Sequence, residues 1–421
     1  MNNTINASII TIGDELLIGQ TVDTNSAFIG QELNKIGIWV RRRVAVGDVW
    51  NDIWKALDEE SRESKLIIIT GGLGPTADDI TKPLLAEYFG GKLVVDEKVL
   101  AHVKYLFEKV YRRPGPILER NLKQAEVPDV AAVLHNAWGS APGMLFKKKD
   151  AVFISLPGVP HEMKGLMTNE VIPYLLKNMN VQAIVHRTAF TFGQGESMIA
   201  EKLIDFEARL PLHIKLAYLP GYGMVKLRLT SRGEHKEAVE QELLPYFEEL
   251  KGLVKEFLVA DEDEPLEVVV GKLLLARKQT MATAESCTGG YIAHLITSIP
   301  GSSDYYKGSI VSYANQVKQD LLGVQQRTLT QYGAVSEETV KEMIQGALQQ
   351  LKVDYVVATS GIMGPGGGTE QKPVGTVWIA VGNKDKVATL KLNLRFDRQR
   401  NITTAALNAL NFLRKFILTN S

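Results

Sequence analysis

The run Glu285-Ser286-Cys287-Thr288-Gly289-Gly290 closes a strand-like segment, MATAES, and feeds a helix, which puts a hydroxyl where acyl chemistry needs one. A serine at such a junction is exposed, and the first N–H groups of the following helix can hold a developing oxyanion. Spacing alone also admits a plainer role for Ser286 or Thr288, because serine and threonine are common helix N-caps. Activation of that hydroxyl would further need a base. Of the seven histidines only His294 lies in this part of the chain. It stands about two helical turns beyond Ser286, too far for a direct hydrogen bond at ~1.5 Å per residue, and reads as a surface or packing residue. No lysine follows three residues after Ser286. The remaining candidates come from the next strand: Tyr313 and Asn315 at its end, Lys318 one turn into the helix, and Lys307 at its start. A desolvated lysine can titrate low enough to act as a base, and a tyrosine hydroxyl can relay the proton, although each lysine taken singly reads more readily as a solvated surface residue. Cys287 is the rival nucleophile, since helix N-termini activate thiolates; a lone cysteine otherwise reads as a small buried hydrophobe. Farther on, residues 360–378 carry Gly364, Gly366, Gly367 and Gly368, which suit either a backbone nest for phosphate or a flexible turn.

A second constellation lies near the N-terminus, in GGLGPTADDIT at residues 71–81, directly after the apolar strand KLIIIT. Gly71, Gly72 and Gly74 permit close approach of a ligand to main-chain N–H groups. Pro75 fixes the chain where a helix is expected to begin, and Thr76 with Asp79 approximates a capping box. A helix start of this kind is an anion site. Asp78 and Asp79 would repel a phosphate unless a divalent cation sat between them, so phosphate with a Mg²⁺-like metal is the coherent chemical reading. Acids that merely complement a helix dipole are the plainer one. GDELLIGQTVDTN at 13–25 and LPGVPHEM at 156–163 also follow strands. In a doubly wound sheet those strand ends share one edge, where Asp14, Glu15, Asp23, Asn25, Asp78, Asp79 and Glu162 could converge.

The elements needed to hold these residues are legible. The chain has 421 residues, enough for two or three domains. Strand and helix patterns alternate with short glycine-containing joints up to about residue 175, which predicts a doubly wound, mostly parallel sheet. Residues 176–260 predict a small α+β connecting module, with two strands joined around Pro220-Gly221 and flanking helices. The acidic stretch ADEDEP at 260–265 marks a boundary, and the α/β style resumes over 261–421. With 48 basic against 48 acidic side chains, no overall positive field exists to hold nucleic acid or an anionic membrane. One cysteine excludes an intrachain disulfide and a four-cysteine zinc site. No apolar run approaches the ~18 residues of a membrane span, and the opening segment lacks the pattern of a secretory leader, so a cytoplasmic chain is expected.

GDELLIG, GGLGPTADDIT, HNAWGSAPG and LPGVPHEM resemble the N-terminal half of the CinA family, which is related to MoaB/MogA-like molybdopterin-binding domains. AESCTGG, GSIVSYANQVK, GAVSEETV and SGIMGPGGGTEQKPVGTVW resemble its C-terminal domain and the stand-alone nicotinamide mononucleotide deamidases. The resemblance runs collinearly along essentially the whole chain. It implies a molybdopterin-binding-like first domain that hydrolyses the diphosphate of ADP-ribose with a divalent metal, Mg²⁺ or a similar transition metal. Gly71, Gly72, Gly74, Thr76 and Asp78 would surround the phosphates, with Asp14, Asp79 and Glu162 near the metal or the attacking water. Ser140 stands where the family more often has threonine and keeps the hydroxyl. For the C-terminal domain the resemblance implies an amidase without cofactor that converts nicotinamide mononucleotide to nicotinic acid mononucleotide and ammonia, in pyridine nucleotide salvage. Ser286 would be the nucleophile, Tyr313 and Lys318 the activating pair, and Thr288 or Gly289 an oxyanion donor, with Asn315, Gly364, Gly366 and Gly367 around the substrate. A homodimer is expected, and no direct nucleic-acid partner. The alternative is an interaction protein of competence or DNA repair whose first domain only binds a nucleotide or pterin.

Overall fold

The computed structural model describes residues 5–76, 78–112 and 114–420. By packing, the chain divides into two units, residues 1–185 with 231–241 and residues 186–230 with 242–421.

The first unit is organised by strands β1 (Asn6–Ile12), β2 (Trp39–Val46), β3 (Leu66–Thr70), β4 (Leu93–Val95), β5 (Glu126–Pro128), β6 (Ala132–Leu134), β7 (Gly143–Lys148) and β8 (Ala151–Leu156). Six of them form a sheet in the order β2-β1-β3-β8-β7-β6, and β4 pairs with β5 in a separate ribbon. The four strands β2, β1, β3 and β8 run parallel, whereas β7 and β6 are antiparallel. All of β3, LIIIT, is buried, because its alternate residues enter different cores. Ile67 and Ile69 join Ile53, Leu57 and Leu84 on one face; Leu66 and Ile68 join Ile29, Leu33 and Met163 on the other. Each such isoleucine contributes about 1.5–3 kcal/mol by leaving water.

Two expectations are corrected here. The helix predicted after Pro75 begins only at Thr81, and residues 71–76 and 78–80 are irregular. Asp23 is not a crevice acid: it caps the helix Thr24–Lys35 by accepting the Ser26 N–H at 2.8 Å. Its neighbour Asn25 donates to Thr70 Oγ1 at 3.2 Å and to the Gly158 carbonyl at 2.7 Å, tying strand ends together.

The middle of the chain carries β9 (Ala183–Phe192), β10 (Lys215–Pro220), β11 (Met224–Gly233) and β12 (Leu258–Ala260), ordered β10-β11-β9-β12. The hairpin expected at Pro220-Gly221 joins β10 to β11. The C-terminal sheet contains β13 (Met281–Glu285), β14 (Tyr306–Val311), β15 (Tyr355–Gly361), β16 (Thr376–Gly382) and β17 (Val387–Asn393), ordered β14-β13-β15-β16-β17. The first three run parallel and the last two antiparallel. Ala282, Ala284 and Ala358 present small faces to the helix Glu337–Leu351, while Met281, Val357 and Ile379 pack toward the final helix, Arg398–Thr419. Because β13, β14 and β15 are parallel, the loops after Glu285, Val311 and Gly361 emerge at one edge, and that is how residues distant in sequence meet.

Candidate active sites

At the end of β13 the chain turns so that Ser286 stays in the sheet, its N–H bonded to the Thr359 carbonyl at 2.9 Å. Gly289 and Gly290 adopt left-handed backbone, with φ of 62° and 93°, and let the chain fold back tightly before the helix Tyr291–Thr297. Glu285, fully buried, exploits this turn. Its carboxylate accepts the N–H groups of Gly290 (3.0 Å), Ile292 (3.1 Å) and Ala293 (2.8 Å), and the hydroxyls of Thr288 (2.7 Å) and Thr283 (3.2 Å). The helix N-terminus that the sequence offered as an oxyanion site is therefore already filled by an internal anion. Thr288 Oγ1 also lies 2.8 Å from Thr359 Oγ1, and the Gly289 N–H donates to the Ser286 carbonyl at 3.1 Å. Thr288 and Gly289 were expected to donate to an oxyanion; the Thr288 hydroxyl and the Gly289 amide hold the turn.

The base is better defined. Lys318, on the helix Asn315–Leu322, is 1% exposed. Its Nζ lies 3.0 Å from Ser286 Oγ and donates to the carbonyls of Ser312 at 2.7 Å and Tyr313 at 3.3 Å. Among the described residues no carboxylate forms an ion pair with it. Burial accordingly pulls its pKa below the ordinary lysine value. Cys287 is itself buried, and burial pushes its thiol up to about 12, so it remains protonated and packs in the core beside Ile292 and Met363.

Tyr313 departs from its expected role. Its ring is 63% exposed and its hydroxyl accepts from Arg398 Nη2 at 3.1 Å; only its main-chain carbonyl touches Lys318. Arg398, at the first position of the final helix, also donates to the Gly364 carbonyl at 2.7 Å. Ser286, Cys287, Tyr313, Asn315, Lys318 and Arg398 share a pocket of about 180 Å³ with Ser360 and Met363. Gly364 is buried, while Gly366 and Gly367 are exposed and lie outside that wall, so the expected phosphate nest is not part of this pocket. Lys307 is also elsewhere, donating to the carbonyls of Ser303 and Asp304. His294 is exposed on its helix, as the sequence suggested. Sequence reasoning missed Arg398, which no motif marks, and passed over Glu285 although it adjoins the serine.

The N-terminal loop is closed by its own aspartate. Asp79 accepts the Gly74 N–H at 2.7 Å, the Thr76 N–H at 2.9 Å and the Thr76 hydroxyl, engaging donors that a phosphate would have used. Gly71 and Gly72 are required by close approach: a Cβ would stand 2.2 Å from the Ile12 carbonyl oxygen and 2.0 Å from Thr81 Oγ1. Asp78 is exposed. Asp14 and Asp48 exchange N–H to carboxylate bonds of 3.1 and 3.2 Å. Burial, reinforced by the charges of Asp14, Glu15 and Asp78, raises Asp48. Asp48 was not foreseen, although the β2 end it follows obeys the same strand-end rule. Glu162 is engaged separately, accepting from Asn136 Nδ2 at 2.7 Å, and burial raises its carboxyl. The expected trio of Asp14, Asp79 and Glu162 therefore does not fit a metal: two members hold loops, and among the described residues no three His, Cys, Asp or Glu side chains meet at ligating distance. Among the described residues no helix is long and apolar enough to cross a membrane.

Comparison with known proteins completes the description. Three family models match in succession: "Probable molybdopterin binding domain" at residues 8–177, "Damage-inducible protein CinA KH domain" at 186–260 and "CinA C-terminal domain" at 263–417. A "CinA-like protein" of Cytophaga hutchinsonii is 46% identical over 415 residues, covering 99% of this chain and 99% of that protein. One of Flavobacterium psychrophilum is 46% identical over 415 residues, covering 98% and 99%. Among solved structures, the competence/damage inducible protein CihA of Agrobacterium tumefaciens is 34% identical and covers 37% of this chain and 98% of its own, with a TM-score of 0.35.

Proposed function

The chain belongs to the CinA family, and from that premise we propose that its C-terminal site is an amidase that converts nicotinamide mononucleotide to nicotinic acid mononucleotide and ammonia. The observation that carries the reading is the 3.0 Å contact between Ser286 Oγ and the buried amine of Lys318. A neutral lysine takes the serine proton as Oγ attacks the carboxamide carbon, then passes that proton to the nitrogen as the C–N bond breaks and ammonia leaves. Water, deprotonated by the same amine, then cleaves the acyl-serine ester and releases the carboxylic acid. A pocket of about 180 Å³ suits one ring-sized group and is too small for a whole dinucleotide. Arg398 at its rim offers a cation for the phosphate of a mononucleotide. The test compares ammonia release from nicotinamide mononucleotide and from free nicotinamide. Strong preference for the nucleotide is expected; equal turnover of both would overturn the substrate class, and no turnover of either would favour the interaction-protein alternative.

For the first domain, the gathering of Asp14, Glu15, Asp48 and Asp78 supports a second reading, hydrolysis of the ADP-ribose diphosphate with a divalent cation to offset their charge. Oxygen donors of this kind suit a hard cation chemically; because among the described residues no three of them meet at ligating distance, such a cation would be held jointly with the substrate's phosphate oxygens, Asp14 and Asp48 being the paired carboxylates nearest one another. Cleavage of ADP-ribose that is indifferent to EDTA would remove this reading.

A further inference from the structure

We infer that Tyr222, in the middle module, is a positioning residue of the Ser286 pocket, acting through Arg400 on the helical turn that carries Arg398; the inference rests on the amidase reading for its kinetic consequence. Tyr222 sits at the tip of the β10–β11 hairpin, 46% exposed, with its ring centroid 5.5 Å from the Arg400 guanidinium carbon. The other cation–π contact of Arg400 is with Phe396, at 3.9 Å. Two aromatic rings thus hold one guanidinium at the start of the final helix. In the same turn Asp397 accepts the Arg400 N–H at 2.9 Å. Arg398, two residues before Arg400, reaches the Tyr313 hydroxyl and the Gly364 carbonyl.

The hairpin tip is anchored. The Gly193 N–H donates to the Gly223 carbonyl at 2.9 Å, and the Phe192 ring lies 3.7 Å from where a Cβ on Gly223 would stand. Met224 packs against the core that contains Phe190, Phe192, Cys287 and Met363, two of which, Cys287 and Met363, also line the pocket. The middle module is therefore part of the amidase site's framework as well as a connector. A substrate phosphate drawn to Arg398 would feel loss of the clamp as weaker binding, whereas Ser286 and Lys318 would be undisturbed.

The experiment measures KM and kcat on nicotinamide mononucleotide for wild type, Tyr222→Ala, Tyr222→Phe, Arg400→Ala and the double variant Tyr222→Ala/Arg400→Ala, with hydrogen exchange of the 394–402 segment in each. Tyr222→Ala should raise KM about two- to fivefold, the scale of one exposed cation–π contact, with kcat unchanged. Tyr222→Phe should restore wild-type values, and the double variant should be no worse than Arg400→Ala alone. Exchange in 394–402 should quicken in Tyr222→Ala and not in Tyr222→Phe. An unchanged KM in Tyr222→Ala, strictly additive effects, or equal exchange in the two Tyr222 variants would overturn the inference. The exchange result decides the matter even if the wild-type chain released no ammonia, which would count against the amidase reading alone.

Discussion

Replacing Glu285 by glutamine should loosen the turn behind the nucleophile, and the structure sets the scale. One carboxylate oxygen accepts from Thr288 Oγ1, Gly290 N–H and Ile292 N–H; the other accepts from Thr283 Oγ1 and Ala293 N–H. The amide nitrogen of glutamine must occupy one position, and the second oxygen's place is the less damaging. Thr283 can then turn to Tyr306 or Ser309, whose hydroxyls lie 2.9 and 2.8 Å away. The Ala293 N–H would be left facing a donor, costing about 1–3 kcal/mol. The three bonds that remain lose the assistance of charge, about 1 kcal/mol each by the difference between charged and neutral hydrogen bonds. The sum is on the order of 4–6 kcal/mol before relaxation and about 3–4 kcal/mol after it. Because the chain packs as two units, a single melting temperature would mix transitions. Hydrogen exchange of the 286–297 segment reads the loss locally, and the protection of Gly290, Ile292 and Ala293 should fall by roughly two to three orders of magnitude, as expected for that energy. Protection unchanged to within about threefold, roughly 0.6 kcal/mol, would refute the claim that this carboxylate holds the turn.

Three further outcomes follow from the same groups. Lys318→Met should lower kcat by about 10²–10⁴-fold, and the wild-type rate should rise with pH through a pKa lying below the ordinary lysine value, since burial disfavours the charged amine and the neutral form is the base; a rate that falls over that range would contradict the assignment. Cys287→Ala should retain activity within about threefold, and the native thiol should resist iodoacetamide near neutral pH because burial pushes it up to about 12; loss of turnover in this variant alone would transfer the nucleophile to sulfur. Lys82, buried with Nζ on the carbonyls of Gln124 and Glu126, has its pKa pulled down to about 8 by burial. A depressed lysine leaves the folded state binding fewer protons than the unfolded one between about 8 and the ordinary lysine value of 10.5, so its contribution to stability should rise across that window by at most about 3 kcal/mol. Denaturant titrations of wild type and Lys82→Met should diverge there, and parallel curves would refute it.

The parts of this molecule that follow from periodicity were legible. β3 reads as a buried strand because five apolar or small residues stand in a row, and Ser286 reads as a junction residue because a buried run gives way to two glycines. Lys318 was reachable from the rule that parallel strand ends share an edge. The rule could not show that its amine, and not the Tyr313 hydroxyl, meets Ser286, because that depends on which way each side chain leaves its backbone. Arg398 was hidden for a similar reason: it begins a helix far along the chain and joins the site only through the final helix's packing. The delayed helix start at Thr81 reflects Asp79, whose carboxylate captures Gly74 and Thr76 and makes a closed loop more favourable than an early helical turn. At Asp79 an acid that the sequence presents as a possible ligand is an internal partner for backbone donors, and Glu285, which the sequence reading passed over, plays the same part.

The most direct test of the Ser286–Lys318 amidase is the release of ammonia from nicotinamide mononucleotide by the full-length protein and its Ser286→Ala variant, with product identified as nicotinic acid mononucleotide. Wild type should release one ammonia per acid formed, and Ser286→Ala should be slower by roughly 10³-fold or more, since Ser286 is the hydroxyl bonded to Lys318 Nζ and burial keeps the Cys287 thiol protonated. A wild-type chain that releases no ammonia, or a Ser286→Ala variant that keeps pace with it, would contradict the account.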